Sequence, residues 1–417
     1  MNKKLMAAAV AGALSIPAGA AMAQTSTVQI YGLLNVEYAP YVKQPDHSSG
    51  ASRTTVDALN SGASRIGFRG QEKLGGNLTA WFQCETDLQA LDGGTDADKE
   101  VYDTNSLNDT AWCDRNSALG LRGGWGNFYV GTWDSPAKRL TSATRMLNET
   151  GWQGVQRHLM TLAGWGYSHR VTKSINYDTP NFGGFSVALQ VTTNDADKNQ
   201  TDITTVPGSA SGSGAGTDGR IYGINGMYSA GPLVVGAAYQ KYENNIQFAV
   251  GPYPAVGGIN GLDDDVIVLG INYTFGAFKI GFVATQIDAE RLVTAAVAGG
   301  PAAGTVVGVE RRSYNAAVEW TLGGPNSVLF GWTHAGQTEG GIGTLNSGSS
   351  LTTLNRGSAN IYQVSFQHKF SKRTTGGIGF ITVDNGDGGI HSLQGLSTNM
   401  RPGERSSAVN LQLVHTF

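Results

Sequence analysis

Short and long polar connections alternate strictly along this chain, between segments whose composition favours β-strands. Each segment has about 9–12 residues and is rich in aromatic and β-branched types. The short connections contain Gly, Pro or Asn, which allow tight turns, and cover residues 74–77, 124–126, 181–184, 230–232, 276–277, 323–326 and 371–374. The long connections are rich in small polar residues and cover roughly residues 40–61, 90–114, 134–168, 194–219, 244–264, 288–309, 337–357 and 385–405. Seven short and eight long connections join sixteen strands.

The imbalance between the two kinds of connection separates two classes of β-protein. Eight long loops without secondary structure of their own are uncommon in a soluble domain. A β-barrel that crosses a membrane has this asymmetry, with short periplasmic turns and long extracellular loops. Gly is frequent, at 59 of 417 residues, which suits strands that must bend and lie close together. The pattern predicts an all-β fold, a 16-stranded antiparallel transmembrane β-barrel.

The strand segments themselves alternate between polar and apolar side chains. In the second segment, Ile66 and Phe68 alternate with Arg65 and Arg69. A soluble β-sandwich also has such two-faced strands. In a wide barrel, the apolar face meets lipid and the polar face meets a water-filled lumen.

Aromatic residues favour the barrel over the sandwich because they cluster beside the short connections. They are Trp125, Phe128, Phe182, Phe185, Phe275, Phe278, Trp320, Phe370 and Phe417. Amphipathic rings prefer the headgroup level of a membrane, so this distribution predicts an aromatic girdle at the periplasmic side.

The first residues have the pattern of a secretory signal peptide. Lys3 and Lys4 precede an apolar stretch too short to span a membrane, and Ala21 and Ala23 form an A-x-A cleavage site. We expect residues 1–23 to be a cleaved signal peptide and residues 24–417 to be the barrel domain. Removing these two lysines from 29 basic residues leaves 27 against 32 acidic ones, a formal charge of −5. This mild acidity argues against a nucleic-acid partner.

Several stretches resemble the sixteen-stranded trimeric general porins of Gram-negative bacteria, and most closely their β-proteobacterial branch. They are residues 28–32 (VQIYG), 64–70 (SRIGFRG), 74–77 (LGGN), 174–185 (SINYDTPNFGGF) and 414–417 (VHTF). The resemblance extends over the whole predicted mature chain.

This resemblance implies a location and a mode of action. The protein would form a water-filled channel in the outer membrane, through which ions and small hydrophilic solutes diffuse passively. It would be a homotrimer in contact with outer-membrane lipid and lipopolysaccharide. The C-terminal Phe417 is similar to the signal that the barrel-assembly machinery reads. The third long connection, residues 134–168, would fold inward and narrow the pore.

Charged residues on the polar strand faces and in this inward loop are the candidates for the pore constriction. The candidates on strands are Arg65, Arg69, Arg122 and Arg170, which the alternation directs inward. The candidates in the loop are Lys138, Arg139, Arg145 and Arg157, with the acidic residues Asp134 and Glu149. Charge at a narrow aperture acts on every passing ion. We therefore expect a weak anion preference, opposed by acidic residues in the outer loops.

Two cysteines, Cys84 and Cys113, predict one disulfide, because an exported protein folds in an oxidising compartment. They fall near the loop-side ends of the third and fourth strands, which are neighbours in an antiparallel hairpin. Closing the intervening loop would contribute about 3–4 kcal/mol in the chain-entropy model.

The sequence contains no nucleophile elbow, HExxH motif, Walker loop or paired CxxC. We therefore expect no enzymatic activity, no cofactor and no metal site. Two other functions stay open at this point. A substrate-specific outer-membrane channel would have the same fold with a binding track in the lumen. A secreted or surface adhesin-like β-protein could use the same strands.

Overall fold

The computed structural model describes residues 27–45, 55–88, 112–147, 154, 156–162, 165–193, 220–243, 262–292, 306–340, 357–393 and 400–417. The predicted signal peptide lies outside the described residues. The strands are β1 (Thr27–Lys43), β2 (Val56–Ser61), β3 (Arg65–Gly75), β4 (Leu78–Asp87), β5 (Ser117–Gly123), β6 (Gly126–Asp134), β7 (Thr161–Leu162), β8 (Trp165–Gly166), β9 (Arg170–Asp178), β10 (Phe185–Thr192), β11 (Arg220–Ala230), β12 (Leu233–Glu243), β13 (Asp264–Phe275), β14 (Phe278–Leu292), β15 (Val306–Gly323), β16 (Asn326–Ala335), β17 (Glu339–Gly340), β18 (Ala359–Lys369), β19 (Thr374–Asn385) and β20 (Ser406–Thr416). Helices α1 (Pro136–Thr144) and α2 (Gln156–Leu159) lie between β6 and β9 along the chain.

The long strands form the wall of a barrel, in which each strand pairs antiparallel with the next and the last strand pairs with β1. One part of β1, residues 27–33, pairs with β3, and residues 33–43 pair with β20. The short strand β2 continues alongside β1 beyond the end of β3, and β17 continues alongside β15 beyond the end of β16. β2 therefore continues the position of β3 in the wall, and β17 continues that of β16. β7 pairs only with β8 and is not part of the wall. The described strands form a closed sixteen-stranded antiparallel barrel, which confirms the predicted fold class.

The short turns all lie at one end of the barrel, and glycine makes the tightest of them possible. Gly276 has a φ of +55° in the two-residue turn between β13 and β14, where Phe275 pairs directly with Phe278. Gly231 adopts the same φ between β11 and β12. Positive φ costs glycine little, because it has no Cβ to collide with the backbone.

Side chains alternate between the two faces of the wall, as the sequence predicts. On β5, Leu119 is 63% exposed on the outer face, whereas Arg122 hydrogen-bonds Gln71 on the inner face. Beside the short turns, the ring of Phe278 stacks on Phe275 and Trp320, with centroid distances of 5.7 and 6.0 Å. Such a row of outward rings suits the interface between lipid and water.

The strands continue into regions that the sequence assigned to long connections. β2 lies inside 40–61, and β14 and β15 both extend into 288–309. In this last region, Asp288 and Glu310 lie opposite each other in register. Polar composition favours loops, but the backbone pairing continues past the apolar band, so the predicted boundaries were wrong there. No helix among the described residues has the length and apolar character needed to cross a membrane.

Candidate pore and inward loop

The inward loop begins where β6 ends, and its first helix is well capped. Ser135 is the N-cap of α1, and its hydroxyl accepts a hydrogen bond from the Lys138 amide at 3.2 Å. Pro136 follows, where its fixed φ suits a first helical turn and its missing N–H costs nothing. The Ser135 amide also donates to the His169 carbonyl at 3.2 Å, which ties the two ends of the loop together.

A row of glycines on the inner wall makes room for this loop. A β-carbon added at Gly236 on β12 would lie 2.7 Å from Cδ1 of Leu140. One added at Gly270 on β13 would lie 2.7 Å from Cβ of Thr144. Gly236 and Gly270 are register partners, so they form one continuous shallow seat. The same relationship holds between Gly223 and Pro136, Gly281 and Met146, and Gly331 and Leu147, with 2.7, 2.7 and 2.5 Å. We call these five glycines the glycine seat.

Polar side chains of the wall hold the loop backbone on this seat. Asn225 and Asn272 donate to the carbonyls of Pro136 and Ala143 at 3.1 and 3.0 Å. Further along the loop, Thr285 donates to the Leu159 carbonyl at 2.6 Å. The described part of the third long connection therefore lies inside the barrel against β11–β16, as expected.

Arg311 on β15 also holds the inward loop, with a charged donor. Its guanidinium donates to the Thr161 carbonyl at 2.8 Å and to the His158 carbonyl at 3.3 Å. It also contacts the ring of His391, from the last long connection, at 3.3 Å. The side chain is 1% exposed, so it holds two loops together and does not face the open pore.

Three of the predicted constriction residues, Arg65 on β3, Asp134 on β6 and Arg170 on β9, take part in a network of close ion pairs beside the inward loop, which forms two groups. Asp134 contacts Lys138 at 3.2 Å and Arg170 at 3.6 Å. Glu85 on β4 contacts Arg65 at 3.6 Å. Each of these cations therefore has an acidic neighbour.

Arg115 joins the network, and the sequence did not identify it. Its guanidinium donates to Glu85 and Asp87, each at 2.8 Å. The neighbouring Asp114 accepts from the Asp87 amide at 3.1 Å. Burial raises the pKa of the Asp114 carboxyl, while that hydrogen bond and the guanidinium groups of Arg115 and Arg170 oppose the shift.

Arg139 of α1 points to a different partner. It donates to Asp178 at 2.7 Å and to the hydroxyl of Tyr129 at 3.2 Å. Burial lowers the pKa of Arg139, but the Tyr129 phenol and the Asp178 carboxylate outweigh burial, and the net pKa lies above its ordinary value. Arg139 therefore stays charged and is neutralised by Asp178.

Arg69 and Arg122 lie apart from this network, in a cavity nearer the short turns. Arg69 donates from two nitrogens to the Oε1 atom of Gln29, at 3.0 and 2.9 Å. Arg122 donates to Oε1 of Gln71. We call this space the exit cavity. It has a volume of about 450 Å³, and its polar lining also includes Thr27, Trp81, Gln83 and Asn127.

The remaining candidates fall at the far end of α1 and beyond it. Arg145 is the C-cap of α1, where its amide donates to the Thr141 carbonyl at 2.9 Å. Glu149 lies outside the described residues, and the Arg157 side chain, within α2, is not described.

The predicted disulfide is present between Cys84 and Cys113, with their Cα atoms 4.7 Å apart. The Cys113 amide donates to the Thr86 hydroxyl at 3.0 Å, which continues the attachment to β4. This anchoring brings Arg115, two residues later, beside Glu85. The predicted disulfide was therefore the sequence signal that could have identified Arg115.

Comparison with known proteins decides the family. A family model described as Gram-negative porin matches residues 7–388. The chain belongs to the Gram-negative porin family. The porin is 27% identical to outer membrane porin protein 32 of Delftia acidovorans over 425 residues, which cover all of both chains.

Two solved structures share the fold of the porin. The anion-selective porin from Comamonas acidovorans is 24% identical, with a TM-score of 0.65 over 94% of this chain and 100% of that chain. OmpT of Vibrio cholerae, in its trimer form, is 12% identical, with a TM-score of 0.58 over 94% of this chain and 99% of that chain.

The family and the barrel together give the location and the general activity. The porin resides in the outer membrane of a Gram-negative bacterium and forms a water-filled channel for passive diffusion of ions and small hydrophilic solutes. Its family and fold are those of channel proteins, and related porins include trimeric structures. They do not favour the adhesin-like function that the sequence left open.

Proposed function

We propose that the channel passes anions in weak preference to cations, with no catalytic cycle and no cofactor. One observation carries the proposal. Arg69 and Arg122, on the inner face, contact amide oxygens and have no carboxylate partner among the described residues. Their charges are therefore not cancelled locally. They act on ions that pass through the lumen, which the low-dielectric walls of the barrel enclose.

The charges closer to the inward loop nearly cancel. Five basic side chains of that region contact acidic ones: Arg65, Arg115, Lys138, Arg139 and Arg170. The acidic side chains are Glu85, Asp87, Asp134 and Asp178, and the neighbouring Asp114 makes five. Arg145 on the loop and Glu37 on β1 add one charge of each sign. These contacts reduce the net positive charge of the loop and wall residues from which the sequence predicted the anion preference.

The reversal potential across a KCl gradient in planar bilayers tests this proposal. We expect the wild-type channel to favour chloride, and the double variant Arg69→Gln/Arg122→Gln to approach equal permeability. Lys279→Gln is the matched control. Lys279 lies on the inner face of β14 opposite Glu319 in register, outside the exit cavity, so its removal should leave selectivity nearly unchanged. Cation selectivity in the wild type, or unchanged selectivity in the double variant, would contradict the proposal.

The proposal also covers assembly and partners. The functional unit is a homotrimer in contact with outer-membrane lipid and lipopolysaccharide, formed after cleavage of residues 1–23. The barrel-assembly machinery recognises Phe417. Support comes from the trimeric relatives and from the position of Phe417 at the seam between β1 and β20. Native mass spectrometry in detergent should give trimers, and monomers alone with an intact barrel would refute this part.

A further inference from the structure

One of the seven short turns at the periplasmic end of the barrel differs from the others in charge. Six contain no charged residue: 74–77, 124–126, 181–184, 230–232, 276–277 and 323–326. The turn between β18 and β19 contains Lys372 and Arg373 side by side, and Lys369 ends β18 just before it. All three residues are exposed, and none forms an ion pair with any residue that the structure describes. We call residues 369–373 the basic turn.

Hydrogen bonds fix the conformation of the basic turn. The Ser371 hydroxyl accepts from the amides of Arg373 and Thr374, at 3.1 and 3.0 Å. The Thr416 amide on β20 donates to the Arg373 carbonyl at 2.9 Å, and the Thr374 hydroxyl contacts Nδ1 of His415 at 3.0 Å. These two amides of the turn are occupied, so the turn presents cationic side chains, and not these backbone donors, to its surroundings.

An apolar surface lies beside the basic turn on the outer face of the barrel. The ring of Phe370 is 67% exposed and lies over Gly376, where an added β-carbon would come within 2.8 Å of its Cε2 atom. Gly376 pairs in register with Leu413 on β20, which is 52% exposed. Exposed apolar side chains on the wall of such a barrel contact lipid, and aromatic rings at the end of the apolar band lie at headgroup level. The cations of the turn therefore lie next to the end of the apolar band.

We propose that the basic turn and Phe370 bind an anionic phospholipid of the periplasmic leaflet, of which phosphatidylglycerol is the simplest example. Its phosphate pairs with Lys372 and Arg373, because ammonium and guanidinium groups are the usual partners of phosphate in proteins. Its acyl chain packs on Phe370 and Leu413. Lys372 follows Phe370 by two residues, and long basic side chains can lie along apolar surface while their charge stays in water, so both contacts fit one lipid molecule.

The combination of charge and apolar surface favours a lipid over a soluble polymer. A cell-wall strand in the periplasm could meet the cations, but it has no acyl chain to cover Phe370. The inference goes beyond the proposed anion preference and does not depend on it, because it concerns the lipid-facing side of the barrel and not the lumen. A lipid site that failed its test would leave the preference for chloride intact.

Native mass spectrometry of the complete assembly in detergent tests the site. The probes are phosphatidylglycerol and phosphatidylethanolamine with the same acyl chains, added to delipidated protein. We expect the wild type to bind phosphatidylglycerol about tenfold more tightly, because basic side chains close to the headgroup attract an anionic lipid and not a zwitterionic one. Equal affinity for the two lipids would overturn the proposal.

Variants locate the effect in the basic turn. Lys372→Gln/Arg373→Gln should abolish the preference for phosphatidylglycerol, and Phe370→Ala should weaken both lipids. Lys73→Gln/Lys279→Gln is the matched control, since it removes two cations from the same end of the barrel, on β3 and β14. It should match the wild type. Heat-modifiable gel mobility shows that each variant is folded, and an undiminished preference in the turn variant would contradict the assignment.

Two further probes distinguish other occupants of the same turn. Glycerol phosphate, which has the headgroup chemistry without acyl chains, should not displace phosphatidylglycerol at equal concentration. Isolated cell wall should retain the wild type and Lys372→Gln/Arg373→Gln equally. Displacement by glycerol phosphate would show a general anion site, and retention that depends on the two cations would assign the turn to the cell wall. Either result would overturn the proposal of a lipid site.

Discussion

The backbones of Gly32 and Phe417 close the barrel by a reciprocal pair of hydrogen bonds. Each amide donates to the carbonyl of the other residue at 3.1 Å. The Phe417 ring lies over Gly32, where an added β-carbon would come within 2.8 Å of its Cε1 atom. Glycine on β1 and phenylalanine at the C-terminus are therefore matched: an aromatic ring covers the strand position that has no side chain.

This seam predicts a specific assembly defect. Phe417→Glu should reduce the yield of folded barrel in the outer membrane while export continues, because it removes the ring and places a charge beside the lipid face. Gly32→Val should give a milder loss, since its side chain would displace the same ring. Heat-modifiable gel mobility of outer-membrane fractions measures the yield. Phe182→Glu, which changes another exposed aromatic at the short-turn end, serves as the control, and an equal loss there would contradict a special role for Phe417.

The disulfide should be fully formed in the mature porin. Peptide mapping without reduction should recover Cys84 and Cys113 in one linked pair. Cys113→Ser should lower the stability of the attached segment by about 3–4 kcal/mol, through the greater freedom of the open loop. Hydrogen exchange at residues 84–87 and 113–115 reports that change. Two free thiols in the mature protein would show the prediction to be wrong.

The glycine seat should set the position of the inward loop. Gly270→Leu fills the space now occupied by Thr144 and should push α1 toward the lumen, which lowers single-channel conductance. Gly308→Leu is the control, because an added β-carbon there meets no atom within 4 Å. Equal conductance in the wild type and Gly270→Leu would show that the loop does not depend on this contact.

Arg311 should be required for a quiet channel. Arg311→Gln removes the charged donor to the carbonyls of Thr161 and His158 and should cost about 3 kcal/mol in local stability. We expect frequent conductance fluctuations and faster protease cleavage in the inward loop. The adjacent Arg312→Gln is the control, since Arg312 is 59% exposed and contacts Glu310 on the outer face. Equal behaviour of the two variants would contradict this role of Arg311.

The sequence predicted the barrel well because the side-chain pattern within each strand reflects which face meets lipid and which face meets the lumen. Alternation of Ile66 and Phe68 with Arg65 and Arg69 gives both faces of β3, and the turn residues give the strand order. The inward position of the third long connection came from family resemblance and was confirmed. These features need no knowledge of which distant residues meet.

The details of the pore depended on such distant contacts. Nothing local distinguishes Gly236 or Gly270 from a flexible glycine, since their role appears only when the inward loop lies on them. Parity placed Arg65 and Arg69 on one face, but only strand register shows that one has Glu85 as its partner and the other has Gln29. The sequence did not predict a role for Arg115, because this residue precedes β5 and is brought to Glu85 by the disulfide-anchored segment.

Salt substitution in single-channel recordings tests the central claim most directly. Replacing chloride by the less mobile acetate at constant potassium changes only the anion, and replacing potassium by lithium at constant chloride changes only the cation. In a channel that favours anions, the acetate substitution should lower wild-type conductance more than the lithium substitution does. A larger fall with lithium than with acetate would contradict the account.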